Sequence, residues 1–188
     1  DIRTFYNVPS GETIKQLAFV FRSADGSKEG KATGAKDIFV NVYTEGLNLG
    51  IGSPAKINVF EKNQTFQFTV TATVSADLKL YIDNQEVASQ TGTFITKNMT
   101  IAEAGNYWLK VKATQNTTVK RDSVYVCIRE ATANEARPAG VQDGINYSGT
   151  QSATLVVYAP GKNYLFVVGD FNNWLPSNNY QMKNDGSY

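Results

Sequence analysis

Phe66-Gln67-Phe68-Thr69-Val70-Thr71-Ala72-Thr73-Val74 alternates without a slip, with apolar side chains at the even numbers and polar ones at the odd. A period of two with one apolar face belongs to a strand that lays one side on a core. Working outward, Leu78, Leu80 and Ile82 repeat the pattern and stop at Asp83-Asn84, a pair suited to a turn. Residues 86–91 and 93–100 read as two weaker strands. Tyr107, Leu109, Val111 and Ala113 alternate again, as do Val124, Val126 and Ile128. About seven short strands at this spacing predict a Greek-key sandwich.

The composition agrees. The 188 residues include 10 Tyr and 10 Phe, and Thr and Val recur; β-branched and aromatic side chains suit a half-buried pleated surface. The fold class is therefore all-β, read as tandem immunoglobulin-like antiparallel β-sandwiches. A formal charge of +1 speaks against a nucleic-acid partner, which needs a basic surface to neutralise phosphates. No apolar run approaches the roughly 20 residues of a membrane span. With no histidine and one cysteine, Cys127, the chain cannot build a Ser-His-Asp triad, a Cys-His pair, a His-based metal site or an internal disulfide. No catalytic residue, metal ligand or cofactor site is expected. Asp83, Glu86 and Glu103 form no recognisable acid pair.

On the N-terminal side, residues 12–17 could make one helical turn capped by Ser10, followed by a strand at 16–22. A turn at Asp25-Gly26-Ser27, a lysine-rich loop at 28–36 and a strand at 38–43 complete this part. Two strands are too few to bury a core. Residues 46–54 carry three Gly and one Pro and read as a linker. On the C-terminal side, residues 131–140 read as a second linker. Strands are expected at 153–158 and 164–170, with a turn at Ala159-Pro160-Gly161-Lys162 between them. The expected domains are 1–50, 51–131 and 137–188. The chain starts at Asp1, and Asn184 to Tyr188 reads as a turn without its strand. The expectation is a piece of a longer exported protein, at an extracellular, cell-surface or periplasmic location.

Three stretches resemble known families. Glu103-Ala104-Gly105-Asn106-Tyr107 resembles the corner of immunoglobulin-like domains, in which a Tyr hydroxyl bonds back to nearby backbone. Leu165-Phe166-Val167-Val168-Gly169-Asp170-Phe171-Asn172-Asn173-Trp174 is similar to the strand-and-turn signature of early-set sandwiches. These precede the barrel in α-amylases, pullulanases and branching enzymes, and include glycogen-binding modules of family 48. Ala153 to Pro160 matches the strand upstream, and Tyr180-Gln181-Met182-Lys183 with Asp185-Gly186 matches the turn downstream. This resemblance covers about the first half of such a module. More loosely, residues 17–22 and 37–40 resemble the C-terminal half of starch-binding modules of families 25 and 26, although the loop at Ser27 to Ala32 lacks their aromatic platform.

The resemblance implies N-terminal accessory modules of a multimodular glycoside hydrolase of the α-amylase superfamily, of the Bacteroides type. The order would be a partial starch-binding-like module, an Ig-like spacer and a truncated early-set module. In glycan-binding members the Trp of the motif stacks on glucose. Trp174, with Asn172 and Asn173, is therefore the candidate carbohydrate-binding set. The other reading has Trp174 covering a sandwich edge. The implied partners are an α-glucan polysaccharide, bound weakly, and the protein's own downstream catalytic domain. Strand exchange between two copies of the chain is a candidate way to cover unpaired edges. A cell-surface glycan-binding protein or adhesin without a catalytic domain is the alternative. Trp108, opposite in parity to Leu109, reads as a second sugar platform or, more simply, as a residue packed against the linker or a neighbouring domain, and Cys127 is expected to be inert.

Overall fold

The structure, a computed structural model, describes residues 2–32, 34–43 and 45–186. The turn expected at Asn184 to Tyr188 falls partly outside them. The chain divides into two compact units, Asp1–Asn48 and Leu49–Tyr188.

In the first unit a helical turn, α1 (Ile2–Phe5), precedes β1 (Gln16–Phe19), β2 (Phe21–Arg22), β3 (Glu29–Gly30) and β4 (Ile38–Asn41). The helical turn expected at 12–17 is absent; strand starts there instead. β1 pairs antiparallel with β4, and β2 with β3. The Asp25 turn is held by Ser23 Oγ and Ser27 N–H, which donate to its carboxylate at 2.5 and 3.1 Å. None of the described residues 2–43 is buried, as expected of two-stranded ribbons.

The second unit opens with β5 (Leu49–Ser53), β6 (Ile57–Glu61) and β7 (Thr65–Ile82). β8 (Gln85–Thr100), β9 (Gly105–Gln115) and β10 (Thr118–Arg129) follow. The alternating stretch lies in β7, which is longer than expected. It runs unbroken through Ser75-Ala76-Asp77, although Ser and Asp suit turns, because both halves of it have strand partners. The register shifts between Thr71 and Ala76. Before the shift β7 pairs with β5 and the end of β8; after it, with the start of β8 and with β9. The strand thus passes from one layer of the sandwich to the other. β8 is likewise one strand, and Gly92, at φ 156°, sits where it bends opposite Ala76. The sheet continues β9–β10–β6, with β6 parallel to β10. The glycine-rich stretch read as a linker contains β5, an edge strand on β7; its pairing partner, not its own composition, makes it a strand.

Phe68, Val70, Leu78, Leu80, Leu109, Ala113, Val126 and Ile128 are completely buried. These are the periodic positions of the sequence. Phe60 stacks on Phe66 with centroids 4.2 Å apart. Tyr107 Oη donates to the Glu103 carbonyl at 3.1 Å, which is the corner that the Gly105-x-Tyr107 pattern implied. Left-handed residues Asp83 and Asn116, at φ 52° and 51°, close the β7–β8 and β9–β10 hairpins.

The C-terminal part adds a hairpin of β11 (Gly144–Tyr147) and β12 (Ala153–Val156). The strand expected at 164–170 is reduced to a bridge between Phe166 and Gln181, with Val167 N–H donating to Tyr180 O and Met182 N–H to Leu165 O.

Leu80→Ala should destabilise the second unit by about 2–5 kcal/mol, since a cavity opens in a packed core. Tyr107→Phe should cost about 1 kcal/mol for its one hydrogen bond. Val40→Ala, on an exposed ribbon, should stay within about 0.5 kcal/mol. Urea denaturation followed by Trp fluorescence measures the first two, and circular dichroism the third; equal losses in all three would contradict this core.

Candidate functional site

The turn at residues 169–175 is built from its own amides. Asn172 Oδ1 accepts from Gly169 N–H at 2.8 Å, and Asn172 Nδ2 donates to Val167 O at 2.9 Å. The amide therefore clamps the turn across both of its ends. Asn172 N–H and Trp174 N–H both donate to Gly169 O, at 3.1 and 2.9 Å. A Cβ at Gly169 would lie 2.6 Å from Cε1 of Phe171, so any side chain there would displace that ring. A 3₁₀ turn, Asp170–Asn172, carries the chain into Asn173 and Trp174, which are left-handed at φ 54° and 58°. Asn tolerates that conformation, whereas a bulky aromatic side chain there is an outlier.

Trp174 is 60% exposed. Its indole N–H donates to Asp170 Oδ1 at 2.8 Å, so its one polar atom is satisfied within the turn while the ring stays open to solvent. Phe171 is equally exposed, with its ring 5.1 Å from that of Tyr180. Of the three sequence candidates, Trp174 and Asn173 are exposed and Asn172 is half-buried. Asp170, which fixes the indole, was not singled out from sequence. Its signal is the spacing of a carboxylate four residues before the Trp.

The turn is anchored to the sandwich by what lies on either side of it. On β10, Val124, Val126 and Ile128 face the core, yet Tyr125 and Cys127 on the opposite face are buried too. Tyr125 Oη donates to Pro176 O at 2.7 Å. Asn178 Nδ2 donates to Ile128 O, and Asn178 Oδ1 accepts from Glu130 N–H, both at 2.9 Å. Gln181 Nε2 donates to Glu130 O at 3.1 Å. The Arg129 guanidinium lies 4.7 Å from the centroid of Tyr164 and pairs with Glu61. Residues 131–140, read as a linker, are tied down as well: Asn184 N–H donates to Ala133 O, and Glu135 N–H to Asn184 O. Trp108 stands edge-on to Tyr125, 5.5 Å away, and is 41% exposed.

Burial pushes the Cys127 thiol up to about 11 and the Tyr125 phenol up to about 12. Among the described residues, no group of three or more His, Cys, Asp or Glu could hold a metal ion, and no helix is long and apolar enough to cross a membrane.

No family model and no curated protein matches the chain. Among solved structures, it is similar to a fibronectin(III)-like module of Clostridium thermocellum CbhA, at 21% identity and TM-score 0.37, over 43% of this chain and 95% of that one. It is also similar to a Bacteroides uniformis β-glucuronidase, at 14% identity and TM-score 0.38, over 66% of this chain but only 17% of the enzyme. The titin M3 domain aligns at 11% identity and TM-score 0.35, over 44% of this chain and 98% of that domain.

Both buried groups on the outer face of β10 are held neutral by the fold. Linkage then sets the sign. The phenol's contribution is complete below its ordinary value of 10.0 and is lost as pH rises through about 12, and the thiol's is complete below 9.0 and is lost as pH rises through about 11. The urea midpoint should fall over that window, less so in Cys127→Ala. Ellman-type reagents should leave Cys127 untouched near pH 8 until the chain is unfolded; rapid labelling of the folded chain would contradict a buried thiol.

Proposed function

We propose that this chain is a non-catalytic accessory region of a secreted glycoside hydrolase acting on α-glucans. In this reading residues 51–131 are a spacer, and residues 137–188 are the first half of an early-set module. Residues 1–50 are the end of a starch-binding-like module. The region holds the enzyme's downstream catalytic domain in a fixed attitude, and Trp174 gives a weak platform for starch or glycogen outside the cell.

One observation carries the reading: Trp174 keeps a large exposed ring at a left-handed backbone position. A non-Gly residue there costs about 1–2 kcal/mol, and a conformational outlier of this kind points toward function. Packing does not repay the strain, because the ring is mostly in solvent. An open indole face suits the flat C–H face of a glucose ring. Asp170 fixes the plane, and Asn173 lies beside it to meet sugar hydroxyls. Asn172 serves as the clamp of the turn. The anchoring of residues 131–140 and 176–184 to the sandwich supports the positioning role, since a docked connection transmits orientation where a free linker would not.

So few contacts give a dissociation constant near about 1 mM, or about −4 kcal/mol. Calorimetry with maltoheptaose tests this on the wild type, Trp174→Ala and Trp174→Gly. The expected result is loss of binding in both variants, while Trp174→Gly keeps its stability within about 1 kcal/mol or gains, because glycine relieves the left-handed backbone. Binding equal to wild type in either variant would make Trp174 a bystander. A loss above about 2 kcal/mol in the glycine variant would make it a packing residue.

A further inference from the structure

The outer face of the β7–β9–β10 layer carries a second candidate site, remote in chemistry from the Trp174 turn. Lys79 on β7 lies directly opposite Lys112 on β9, and Lys112 directly opposite Arg121 on β10. Adjacent strands are about 4.8 Å apart, so three cations span about 10 Å in one row. In the next row Tyr81, Lys110 and Ser123 are aligned the same way. Like charges directly opposite one another destabilise a sheet.

Two of the cations are partly answered. Lys79 pairs with Glu86 at 2.9 Å, and Lys110 Nζ donates to Asn84 Oδ1 at 3.2 Å. Among the described residues, no ion pair or hydrogen bond engages the side chains of Lys112 and Arg121. These two neighbours face an open concavity of about 550 Å³, lined also by Tyr81, Asp83, Lys110 and Ser123. The volume falls within the about 300–1,000 Å³ of small-ligand sites.

We propose that this concavity binds a short acidic oligosaccharide, a carboxylate- or sulfate-bearing glycan with neutral hydroxylated faces between its charges. Lys112 and Arg121 would take the anionic group, Arg121 by its fork of donors. The Tyr81 ring offers an apolar face to a sugar. The lining also includes two carboxylates, Asp83 and Asp122. Asp83 Oδ1 accepts from Trp108 N–H, and Asp122 Oδ1 from Ser123 N–H, so both carboxylates are tied to backbone and neither pairs with Lys112 or Arg121. Asp83, whose parity is that of Tyr81, can accept from sugar hydroxyls, and the two carboxylates repel a densely charged polymer such as nucleic acid, which bears a charge every about 1.7 Å. An oligo-glutamate peptide supplies the anions without the hydroxyls.

The test titrates the full chain, with backbone amides followed by NMR, against oligogalacturonate, chondroitin sulfate oligosaccharides, maltoheptaose and oligo-glutamate. One of the two acidic glycans should bind with a dissociation constant of about 0.1–1 mM and perturb Lys110, Lys112 and Arg121. Oligogalacturonate carries carboxylates only and chondroitin sulfate carries both groups, so binding of the first shows that carboxylate suffices, and binding of the second alone assigns the sulfate. Added salt should weaken it. The pair Lys112→Gln with Arg121→Gln should weaken it at least about tenfold while leaving the melting temperature unchanged or higher, because the facing charges are gone. Should the pair fail to fold, each single variant should weaken binding about threefold. Trp174→Ala should leave this binding unchanged, which separates it from the α-glucan platform. The proposal is overturned if neither acidic glycan shifts these amides at about 10 mM, if oligo-glutamate binds as tightly, or if the Gln variants bind like wild type.

Discussion

Strand β10 is buried on both faces, and the rest of the second unit is arranged around that constraint. Its inner face, Val124, Val126 and Ile128, fills the sandwich. Its outer face would leave Tyr125 and Cys127 in water were it not for residues 163–184. Apolar burial is worth about 25 cal/mol per Å², so covering an aromatic ring and a thiol rewards docking of a segment with little regular structure of its own. The hydrogen bonds give that docking its register. Asn178 reaches the backbone on both sides of Arg129, at Ile128 and Glu130, and so replaces the partners a further strand would have supplied.

Arg129 sits at the centre of this seam. Its side chain lies against Tyr164, pairs with Glu61 on β6 and caps Glu130 O at 3.1 Å. β6 runs parallel to β10, so one guanidinium ties an edge strand, the strand beside it and the docked segment together. Its Nε and the Oε1 of Gln181 are buried without partners among the described residues. Buried polar atoms of this kind are what an ordered water satisfies. The seam is accordingly polar in its fixings and apolar in its driving force, which favours a fixed orientation over a swinging one.

Much of the sandwich was legible in the sequence because period two survives in one-sided strands. Phe68, Leu80 and Leu109 announce themselves by their parity alone. The Tyr107 corner and the Asp83 hairpin were legible because their hydrogen bonds and backbone conformations are local. What could not be read depends on distant partners. β5 looks like a linker because its strand character comes from β7, not from its Gly-rich composition. Tyr125 and Cys127 look half-exposed because their cover lies about 50 residues further on. At the candidate site the Trp174 turn was visible as a motif, yet the division of labour inside it was not. Asn172 and Asn173 are the same residue type side by side, and only the backbone shows that one clamps the turn while the other is presented to solvent.

Trp174 and the Lys112–Arg121 pair share a physical logic despite their different chemistry. Each breaks a local rule, a bulky residue in a left-handed backbone with its ring mostly in solvent or like charges face to face without a counter-ion. Folding tolerates such conflicts only when the surrounding structure determines the site more strongly than the conflict disturbs it. For Trp174 that determination is the chain of bonds from Gly169 to Leu175, itself moored through Pro176 to Tyr125. For Lys112 and Arg121 it is the continuous pairing of β9 with β10 from Gly105 opposite Ile128 to Gln115 opposite Thr118. Tyr125 belongs to both supports, as the β10 residue that anchors the turn and as a member of the outer face on which the cations stand. A change at Tyr125 would loosen the turn that presents Trp174 while the ladder holding the cations keeps its register. The two surfaces therefore have one scaffold but separable stabilities.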